Sequence, residues 1–488
     1  MISLLRSASV GAVLLLALSV AARGDDPVDV ILEWNAIALE SNAIDHTAPD
    51  VPADQLSSTQ GPPASARVLA IVHAAMFDAY NSVDRRYRPY RQHVGWAFGA
   101  SADAAVAQAA HDTLVVLYPA QRERLDAALQ ETLSRVPSRW SKLHGRLVGF
   151  VVAMGILFER WNDGSDFAGT YTPTGEPGNH DVDPQHPEQG FIGPNFGSVT
   201  PFTVRDITQF RAPTPPSLTS LEYAFALEEV SRLGGDDITT PSDRTADETE
   251  IALYWSYNGS PLIGTPPRVY NQIARLIAQQ QGNDVHENAR LFALLNLALA
   301  DAGISAWDSK YTYAYWRPIL GIRQADLDGN PDTDAFQDPT WTPLGGSRSN
   351  PFPGESNFTP AFPSYTSGHA TFGAAAFKTL ANFYQTDDIP FSFISDEWNG
   401  VTTDQFGVVR PVRERFFFTL SQAAAENAAS RVFNGVHWRF DGAEGVRAGN
   451  AIADHVYENL LRPRGRPPQA IPDADFEAQI DAYLTGGF

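Results

Sequence analysis

One helix of this chain is predicted to be apolar on nearly every side. Between positions 289 and 300 the run ARLFALLNLALA has only Arg290 and Asn296 as polar residues. A helix at a protein surface shows one apolar stripe, whereas a helix that is apolar all round is buried among other elements. In a helical bundle, neighbouring helices provide that covering. We therefore expect this segment to be a buried helix of a bundle.

Helical periodicity recurs along most of the chain. Apolar residues follow helical spacing in segments that are separated by breaks containing Pro or Gly, and few segments show the alternation typical of strands. An all-α fold of helical bundles with long loops is expected. The predicted helices span residues 28–44, 64–83, 102–117, 121–136, 141–161, 218–233, 245–257, 268–281, 286–316, 367–384, 412–434 and 442–461.

The length of 488 residues exceeds the usual size of one domain. Residues 163–216 are rich in Gly, Pro, Asp, Thr and Asn and show no sustained period, which is typical of a long loop. We predict a signal peptide at 1–24, an amino-terminal helical bundle with this loop at 25–216, and a carboxy-terminal bundle at 217–488. The carboxy-terminal part contains all the candidate site residues.

The amino terminus predicts export from the cell. Arg6 precedes a short apolar run, and Ala22-Arg23-Gly24 is a small-x-small cleavage site, so cleavage before Asp25 is expected. The apolar run is short for a membrane span, and no later stretch is expected to reach the required length. We therefore expect a secreted or periplasmic protein that is soluble after cleavage.

The charge and the absence of cysteine exclude several classes of function. A net charge of −22 argues against nucleic acid and anionic membranes as partners, because both attract Lys and Arg. Without cysteine, the chain forms neither disulfides nor thiolate metal sites. In so acidic a protein, a local cluster of Lys and Arg would indicate a bound anion.

The run FPSYTSGHATFG at 362–373 predicts a loop that continues into a helix. Pro363 disfavours helix in the residue before it, and Ser367 is a good N-cap. The first N–H groups of a helix, here including that of Gly368, lack intrahelical acceptors and carry the positive end of the helix dipole. This stretch therefore predicts an anion-binding site with His369 at its edge.

Two further segments contribute cations and a histidine to such a site. Lys310 and Arg317 are seven positions apart and would share one face of a continuous helix. Arg431 and His437 are six positions apart, so they converge only if a helix ends between them. The Asn-Gly pair at 434–435 is a suitable end. The three segments together could surround a tetrahedral oxyanion.

In order and spacing, these segments resemble the three-part signature shared by vanadium-dependent haloperoxidases and type 2 phosphatidic acid phosphatases. The longer strings at 362–373 and 430–441 are similar to the fungal vanadium chloroperoxidase branch. Thr366 departs from that branch, which has proline before the serine. The resemblance covers roughly residues 285–460. The matching elements are Lys310 with Arg317-Pro318, the run PSYTSGH at 363–369, and Ser430-Arg431 with His437.

The resemblance implies a vanadate cofactor, with vanadium(V), and hydrogen peroxide and a halide, bromide or chloride, as reactants. It implies His437 as the vanadium ligand, and His369 and Lys310 as catalytic residues. His369 would be the acid–base group. Trp307 and Phe362 stand where the chloroperoxidases have two aromatic residues beside the vanadate, so they would form a halide pocket or simply pack there. The implied vanadate-binding residues are Lys310, Arg317, Ser367, Gly368 and Arg431.

Two other functions remain open at this stage. An exported acid phosphatase would use the same oxyanion site, because phosphate resembles vanadate in shape and charge, and His437 would then form a phosphohistidine intermediate. A non-catalytic oxyanion-binding or structural helical protein is the third alternative. The strings around Phe362 and Trp438 favour the haloperoxidase over the phosphatase, and the presence of His369, Lys310 and His437 argues against the non-catalytic protein.

Several further patterns have a weaker interpretation. The run HDVDPQH at 180–186 is either a metal cluster or, as we favour, a polar loop. The acidic run at 326–334 resembles a calcium loop, but Pro331 stands where the turn glycine is needed and Gln337 where the bidentate Glu is needed, so a solvated loop is favoured. A homodimer and the preferred halide stay open. Candidates for the acidic residue that braces the arginines are Glu250, Asp301 and Asp308.

Overall fold

The structure is a computed structural model that describes residues 28–47, 59–167, 169–465 and 467–486. The predicted signal peptide lies outside these described residues. Within them the chain forms fourteen α-helices and one two-stranded sheet, so the prediction of a helical protein is confirmed. The helices are α1 Val30–Asp45, α2 Pro62–Val83, α3 Ala102–Leu117, α4 Arg122–Ser134, α5 Arg139–Arg160, α6 Leu221–Leu233, α7 Ala246–Tyr254, α8 Pro266–Gln281, α9 Val285–Tyr313, α10 Pro318–Arg323, α11 Gly368–Tyr384, α12 Leu420–Phe433, α13 Arg439–Asn459 and α14 Phe476–Leu484, and the strands are β1 Phe391–Asn399 and β2 Val412–Phe417.

Helix α9 contains the apolar run and is buried, as predicted. A capping box fixes its start, because Asp284 accepts from the N–H of Glu287 while the Glu287 side chain accepts from the N–H of Asp284. Helices α2, α11 and α13 pack around it. Burial of almost every residue from the second turn to Lys310 places the end of α9 deep inside the bundle.

The end of α9 differs from the prediction. The continuous helix expected at 286–316 stops at Tyr313, because Ala314 adopts a left-handed conformation with φ 46°. Arg317 is extended (φ −83°, ψ 156°) and is the N-cap residue of α10. Pro318 explains this conformation, since a proline disfavours the α-helical region for the residue before it. The prediction that Lys310 and Arg317 share one helix face is therefore wrong, and they approach the site from separate elements.

Two of the described helices are long and apolar enough to cross a membrane: α5 with 22 residues and α9 with 29. The expectation that no stretch after the amino terminus reaches this length is therefore wrong. Helix α9 has its whole apolar window buried inside the protein, as a core helix does. Helix α5 has only 33% of its window buried, so much of its apolar surface is uncovered.

Strands β1 and β2 form an antiparallel hairpin that the sequence did not predict. The predicted helix at 412–434 is wrong in its first part, where β2 runs to Phe417, and helix α12 starts only at Leu420. Thr419 caps α12 by accepting from the N–H of Gln422 at 3.0 Å. A helix–strand boundary at this point is therefore set by a local cap and by pairing with β1.

Helix α5 lies unusually close to α3 through two glycines. A Cβ atom at Gly149 would lie 2.3 Å from the carbonyl oxygen of Ala105, and one at Gly145 would lie 2.4 Å from that of Ser101. Real Cβ atoms do not approach backbone this closely, so the glycines permit the contact. The face of α5 that carries Gly145 and Gly149 is thus fixed against α3.

The Gly149→Ala variant should be less stable, by about 1–3 kcal/mol in the free energy of unfolding, because the added methyl group overpacks this contact. The control is Gly155→Ala on the same helix, where the three atoms nearest the new Cβ belong to a side chain, that of Gln92, which can move aside at the expense of its bonds to the carbonyls of Val151 and Val152. Both changes gain the same helix propensity. Denaturant unfolding measures the difference, and equal stability of the two variants would show that the α3–α5 contact is not tight.

The weaker candidates for metal binding are not supported. Among the described residues no group of three or more His, Asp and Glu could hold a metal ion. In the run at 180–186, His186 bonds Asp183 at 3.0 Å, while His180 is buried with neither ring nitrogen hydrogen-bonded. In the run at 326–334, Asp328 accepts from the backbone N–H of Asn330 and the hydroxyl of Thr333. The boundary between the two predicted domains stays a prediction.

Candidate active site

The structure brings all nine predicted site residues together around one cavity of about 330 Å³. Lys310, Arg317 and Ser367 are buried directly behind its lining. Lys310 Nζ lies 5.0 Å from the ring centre of Phe362, and Arg317 bonds His437. The other six line the cavity: Trp307, Phe362, Gly368, His369, Arg431 and His437.

Helix α11 begins at this cavity, as predicted. Ser367 is its N-cap, with the hydroxyl oxygen accepting from the N–H of Ala370 at 3.4 Å. Within the described chain, the N–H groups of Gly368 and His369 have no hydrogen-bond acceptor. A Cβ atom at Gly368 would lie 3.4 Å from the ring of Trp307, so the indole forms the wall beside this N–H. The helix start can therefore receive an anion.

His437 is fixed in one tautomer by its two neighbours. Its Nε2 lies 3.0 Å from Nη1 of Arg317, and its Nδ1 lies 2.8 Å from a carboxylate oxygen of Asp441. Because a guanidinium can only donate, Nε2 must be the unprotonated nitrogen and Nδ1–H donates to Asp441. Burial, reinforced by Arg317, holds the pKa of His437 well below its ordinary value of 6.5. His437 is therefore neutral, and its Nε2 lone pair, at the cavity wall, accepts from Arg317 in this structure.

Asp441 is the acidic residue of the site, and the sequence interpretation missed it. It is fully buried, and the oxygen that accepts from His437 also accepts from the Ser364 hydroxyl and from the N–H of Trp438. Burial raises the pKa of Asp441 to about 7. A carboxylate that orients a histidine in this way is the usual outer partner of a metal-binding imidazole.

The three acidic candidates named from the sequence are engaged elsewhere. Asp301 accepts from the N–H groups of Phe202 and Thr203. Asp308 pairs with Arg211, and Glu250 pairs with arginines of strand β2. The sequence signal for Asp441 was its position four residues after His437. This spacing is about one helical turn, and α13 begins between the two residues, so the carboxylate can reach the imidazole.

Arg317 and Arg431 each keep one fully buried nitrogen without a partner among the described residues. Arg317 donates from Nε to the carbonyl of Phe362 at 2.9 Å, but its Nη2 has no partner among the described residues. Arg431 donates from Nη1 to Asn434 at 2.8 Å, and its Nε is likewise buried without a partner there. Burial lowers the pKa of Arg317 to about 9 and that of Arg431 to about 10. Both remain cationic at neutral pH.

Lys310 has a different position from the one expected. Its ammonium donates to three carbonyl oxygens of the loop before α11, those of Pro363, Ser364 and Thr366, at 2.8, 2.9 and 2.5 Å. These bonds use all three N–H groups of a lysine. Burial, with Arg317 nearby, lowers the pKa of Lys310 well below its ordinary value of 10.5. In this structure Lys310 therefore shapes the loop that presents Ser367.

His369 is held by the backbone on two sides. Its Nε2 lies 2.7 Å from the carbonyl oxygen of Ser256, so Nε2 carries the proton and Nδ1 has the lone pair. Burial, followed by the charge of Arg431, lowers the pKa of His369 well below its ordinary value of 6.5. Its own carbonyl accepts from Tyr270 and Asn427. The ring is thus a fixed neutral base beside the cavity.

Trp307 and Phe362 pack against each other and also line the cavity. The ring centres of Trp307 and Phe362 are 4.8 Å apart, and the indole N–H of Trp307 donates to the carbonyl of Ile192 at 3.2 Å. Two cations approach the Phe362 ring, since Arg317 Cζ lies 4.9 Å from its centre and Lys310 Nζ lies 5.0 Å from it. This wall gives the cavity an apolar side next to its cations.

The site fits a tetrahedral oxyanion such as vanadate. Lys310, Arg317 and Arg431 bring three positive charges, whereas the buried carboxylate of Asp441 bonds to His437 rather than to any of these cations. Buried charge of one sign is costly unless a counter-charge neutralises it. The unpartnered arginine nitrogens and the N–H of Gly368 provide directional donors to an anion. The lone pair of His437 completes the donor set.

Comparison with known proteins agrees with this geometry. A family model described as the VCPO second helical-bundle domain matches residues 290–465. The chain is 33% identical over 501 residues to the vanadium chloroperoxidase of Curvularia inaequalis, covering 85% of this chain and 79% of that protein. The region that the family model matches, residues 290–465, includes all nine site residues.

Two solved structures share the fold. A bacterial vanadium-dependent iodoperoxidase superposes with a TM-score of 0.69 at 23% identity, covering 90% of this chain and all of that one. A bacterial vanadium-dependent chloroperoxidase in its holo form superposes with a TM-score of 0.63 at 16% identity, covering 93% and 98% of the two chains. These structures share the fold, and the 33% identity to the Curvularia protein shows the family. The chain belongs to the vanadium chloroperoxidase family of vanadium-dependent haloperoxidases.

Proposed function

We propose that this protein is a vanadate-dependent haloperoxidase that uses hydrogen peroxide to oxidise bromide or chloride to a hypohalous acid or an equivalent halogenating species. The observation that carries the proposal is the tautomer of His437. Its Nε2 lone pair lies at a cavity wall, Asp441 holds the opposite nitrogen, and buried cations surround the space. This is the arrangement required to ligate a metal oxyanion.

Vanadate, when bound, supplies a Lewis acid that activates peroxide toward attack by halide without changing its own oxidation state. His437 Nε2 is the ligand atom for vanadium. Arg317 and Arg431 neutralise the oxyanion through the nitrogens that have no protein partner, and the Ser367 hydroxyl and the Gly368 N–H add two hydrogen bonds. Asp441 keeps His437 in the correct tautomer.

His369 is the acid–base group of the proposed reaction. Its Nδ1 has the lone pair, so it accepts a proton from hydrogen peroxide as the latter enters the site and later delivers that proton to the oxygen that leaves as water. A neutral imidazole is needed for this step, and the lowered pKa of His369 ensures it. Lys310 holds the loop at 363–366 through its three hydrogen bonds and adds positive charge beneath the site.

Halogenation of a diketone reporter tests the function. The purified protein is given hydrogen peroxide with bromide or chloride, before and after incubation with orthovanadate in phosphate-free buffer. Activity should appear only after vanadate is added, and added phosphate should suppress it by competing for the same site.

The exported acid phosphatase is the alternative that the same experiment addresses. The family relationship does not favour it. Absence of halogenation, together with hydrolysis of a phosphate monoester that vanadate inhibits, would overturn the proposed activity in favour of the phosphatase.

The Phe362→His variant should show a lower ratio of chloride to bromide activity, by about tenfold, or about 1.4 kcal/mol. An imidazole would make the wall polar and admit water next to the activated peroxide, and the more strongly hydrated chloride should suffer most. The control is Phe358→His, which changes a second phenylalanine of the same cavity that stacks on Arg348 instead. Equal ratios in both variants would mean that Phe362 only packs.

A location outside the cytoplasm follows from the predicted signal peptide and is part of the proposal. Fractionation of cells that express the full chain, with sequencing of the mature amino terminus, tests it. An amino terminus at Asp25 in the exported fraction is expected, and an uncleaved cytoplasmic product would contradict it. A homodimer is not required by the chemistry, because one chain provides every residue of the site.

A further inference from the structure

Helix α5 carries an apolar stripe that the described part of the chain leaves exposed to solvent. The exposed side chains recur at intervals of three or four residues along the whole helix and continue one residue beyond it. This is the spacing of a seam that pairs with another helix. The stripe residues are Trp140 80%, Leu143 56%, Leu147 51%, Phe150 48%, Met154 36%, Phe158 85% and Trp161 71% exposed.

The opposite face of α5 is fixed, so the stripe cannot turn inward. Gly145 and Gly149 lie against the backbone of α3, and Arg160 at the end of the helix is buried in an ion pair with Asp163 at 2.9 Å. Single exposed apolar residues are ordinary, but a contiguous stripe of this length marks an interaction surface.

The stripe is symmetric about its own midpoint, which lies between Phe150 and Val151. Reversal of the helix about this point places Trp140 on Trp161, Leu143 on Phe158 and Leu147 on Met154. Large residues therefore meet large ones at the ends, and medium ones meet near the middle. A two-fold interface needs a surface that is complementary to itself in this sense. In the antiparallel arrangement the stripe has this property.

One pair of charges beside the stripe follows the same symmetry. Lys142 near the start of α5 is opposite Glu159 near its end when the helix is reversed, so opposite charges meet twice across a two-fold axis. Lys142 has no ion pair within the described chain, whereas Glu159 pairs with Arg91. Parallel pairing would instead place Lys142 against its own copy.

We infer that two copies of this chain form a homodimer through the apolar stripe of α5, with the two helices antiparallel about a two-fold axis near Phe150. The inference stands apart from the proposed activity, because the stripe shares no residue with the active-site cavity. A second copy covers seven exposed apolar side chains on each partner at once.

Sedimentation velocity of the purified full chain across a range of concentrations tests the dimer. The wild-type protein should sediment with twice the mass of one chain, and Phe150→Glu should raise the dissociation constant by at least about 100-fold because it buries two like charges on the axis. The control is Phe416→Glu, which alters a 53% exposed phenylalanine of strand β2 and should remain dimeric. Circular dichroism confirms that both variants fold.

Cysteine cross-linking tests the orientation, because the chain has no cysteine of its own. A mixture of the single variants Leu147→Cys and Met154→Cys should form a disulfide-linked heterodimer, while neither variant alone should cross-link. The two positions are about 10.5 Å apart along one helix, beyond the reach of a disulfide within one chain. Cross-linking of Leu147→Cys alone would replace the antiparallel arrangement with a parallel one.

Two results would overturn the dimer. The first is a monomer at every concentration. The second is a monomer that co-sediments with neutral phosphatidylcholine vesicles and loses this binding in Phe150→Glu, which would make the stripe a membrane contact. The pairing of Lys142 with Glu159 across the two-fold axis favours the protein partner.

Discussion

The His437→Ala variant is expected to bind orthovanadate at least about 100-fold more weakly than the wild-type protein and to have no vanadate-dependent halogenation. Loss of an outer partner of a metal ligand alone costs about 10–100-fold in affinity, and removal of the ligand atom costs more. The side chain is buried and packed, but its loss leaves the cations in place. Residual electrostatic binding should therefore persist at millimolar vanadate.

Equilibrium dialysis in phosphate-free buffer measures this affinity directly. His186→Ala is the matched control, because His186 lines the same cavity but bonds Asp183 rather than Asp441. His369→Ala should keep vanadate affinity within about tenfold and lose only turnover, since it is assigned to proton transfer. Unchanged vanadate affinity in His437→Ala would exclude it as the ligand.

The parts of the site that depend on local sequence were predictable. The start of α11 is determined by the run from Pro363 to Gly368. A proline, an N-cap serine and a glycine each restrict or stabilise the backbone conformation of the residues next to them. The end of α12 before His437 was likewise predictable, since Gly435 takes the positive φ of 70° that a helix stop requires.

The misplaced and missing elements involve competition between neighbours or contacts distant in sequence. The helical pattern through 314–316 continues the period of α9, yet Pro318 and the left-handed Ala314 interrupt it. The charged residues of strand β2 have a spacing that also occurs in helices, so the local pattern did not distinguish a strand from a helix. Its conformation is set by pairing with β1 and by the ion pair of Arg415 with Glu426 of α12. Neither contact is visible in a local window.

The role of Asp441 could be read from the sequence only by combining two facts. One is that α13 begins just after His437, so that Asp441, four residues after His437, lies on the side of the helix that faces the imidazole. The other is that no other acidic side chain reaches this nitrogen among the described residues. The three acidic residues that the sequence suggested for bracing the arginines are engaged elsewhere in the fold, and Asp441 itself bonds His437 rather than an arginine.

The Lys310→Met variant is expected to lose about 3–5 kcal/mol of stability along with most vanadate affinity. Methionine has a similar length but no N–H, so the carbonyls of Pro363, Ser364 and Thr366 would be left buried without donors. Relief of the buried charge offsets part of this loss. Because these carbonyls belong to the loop that presents Ser367 and Gly368, the loop should lose its geometry and the anion should lose its hydrogen bonds.

Denaturant unfolding and vanadate dialysis on the same protein separate the two effects. Lys378→Met is the matched control, since Lys378 is also a buried lysine, but it pairs with Asp473 at 2.6 Å, away from the cavity. It should lower stability and leave vanadate affinity unchanged. If Lys310→Met instead kept wild-type stability and lost only affinity, the ammonium would have to leave the loop carbonyls and contact the oxyanion directly. The comparison therefore distinguishes a lysine that builds the site from one that binds its ligand.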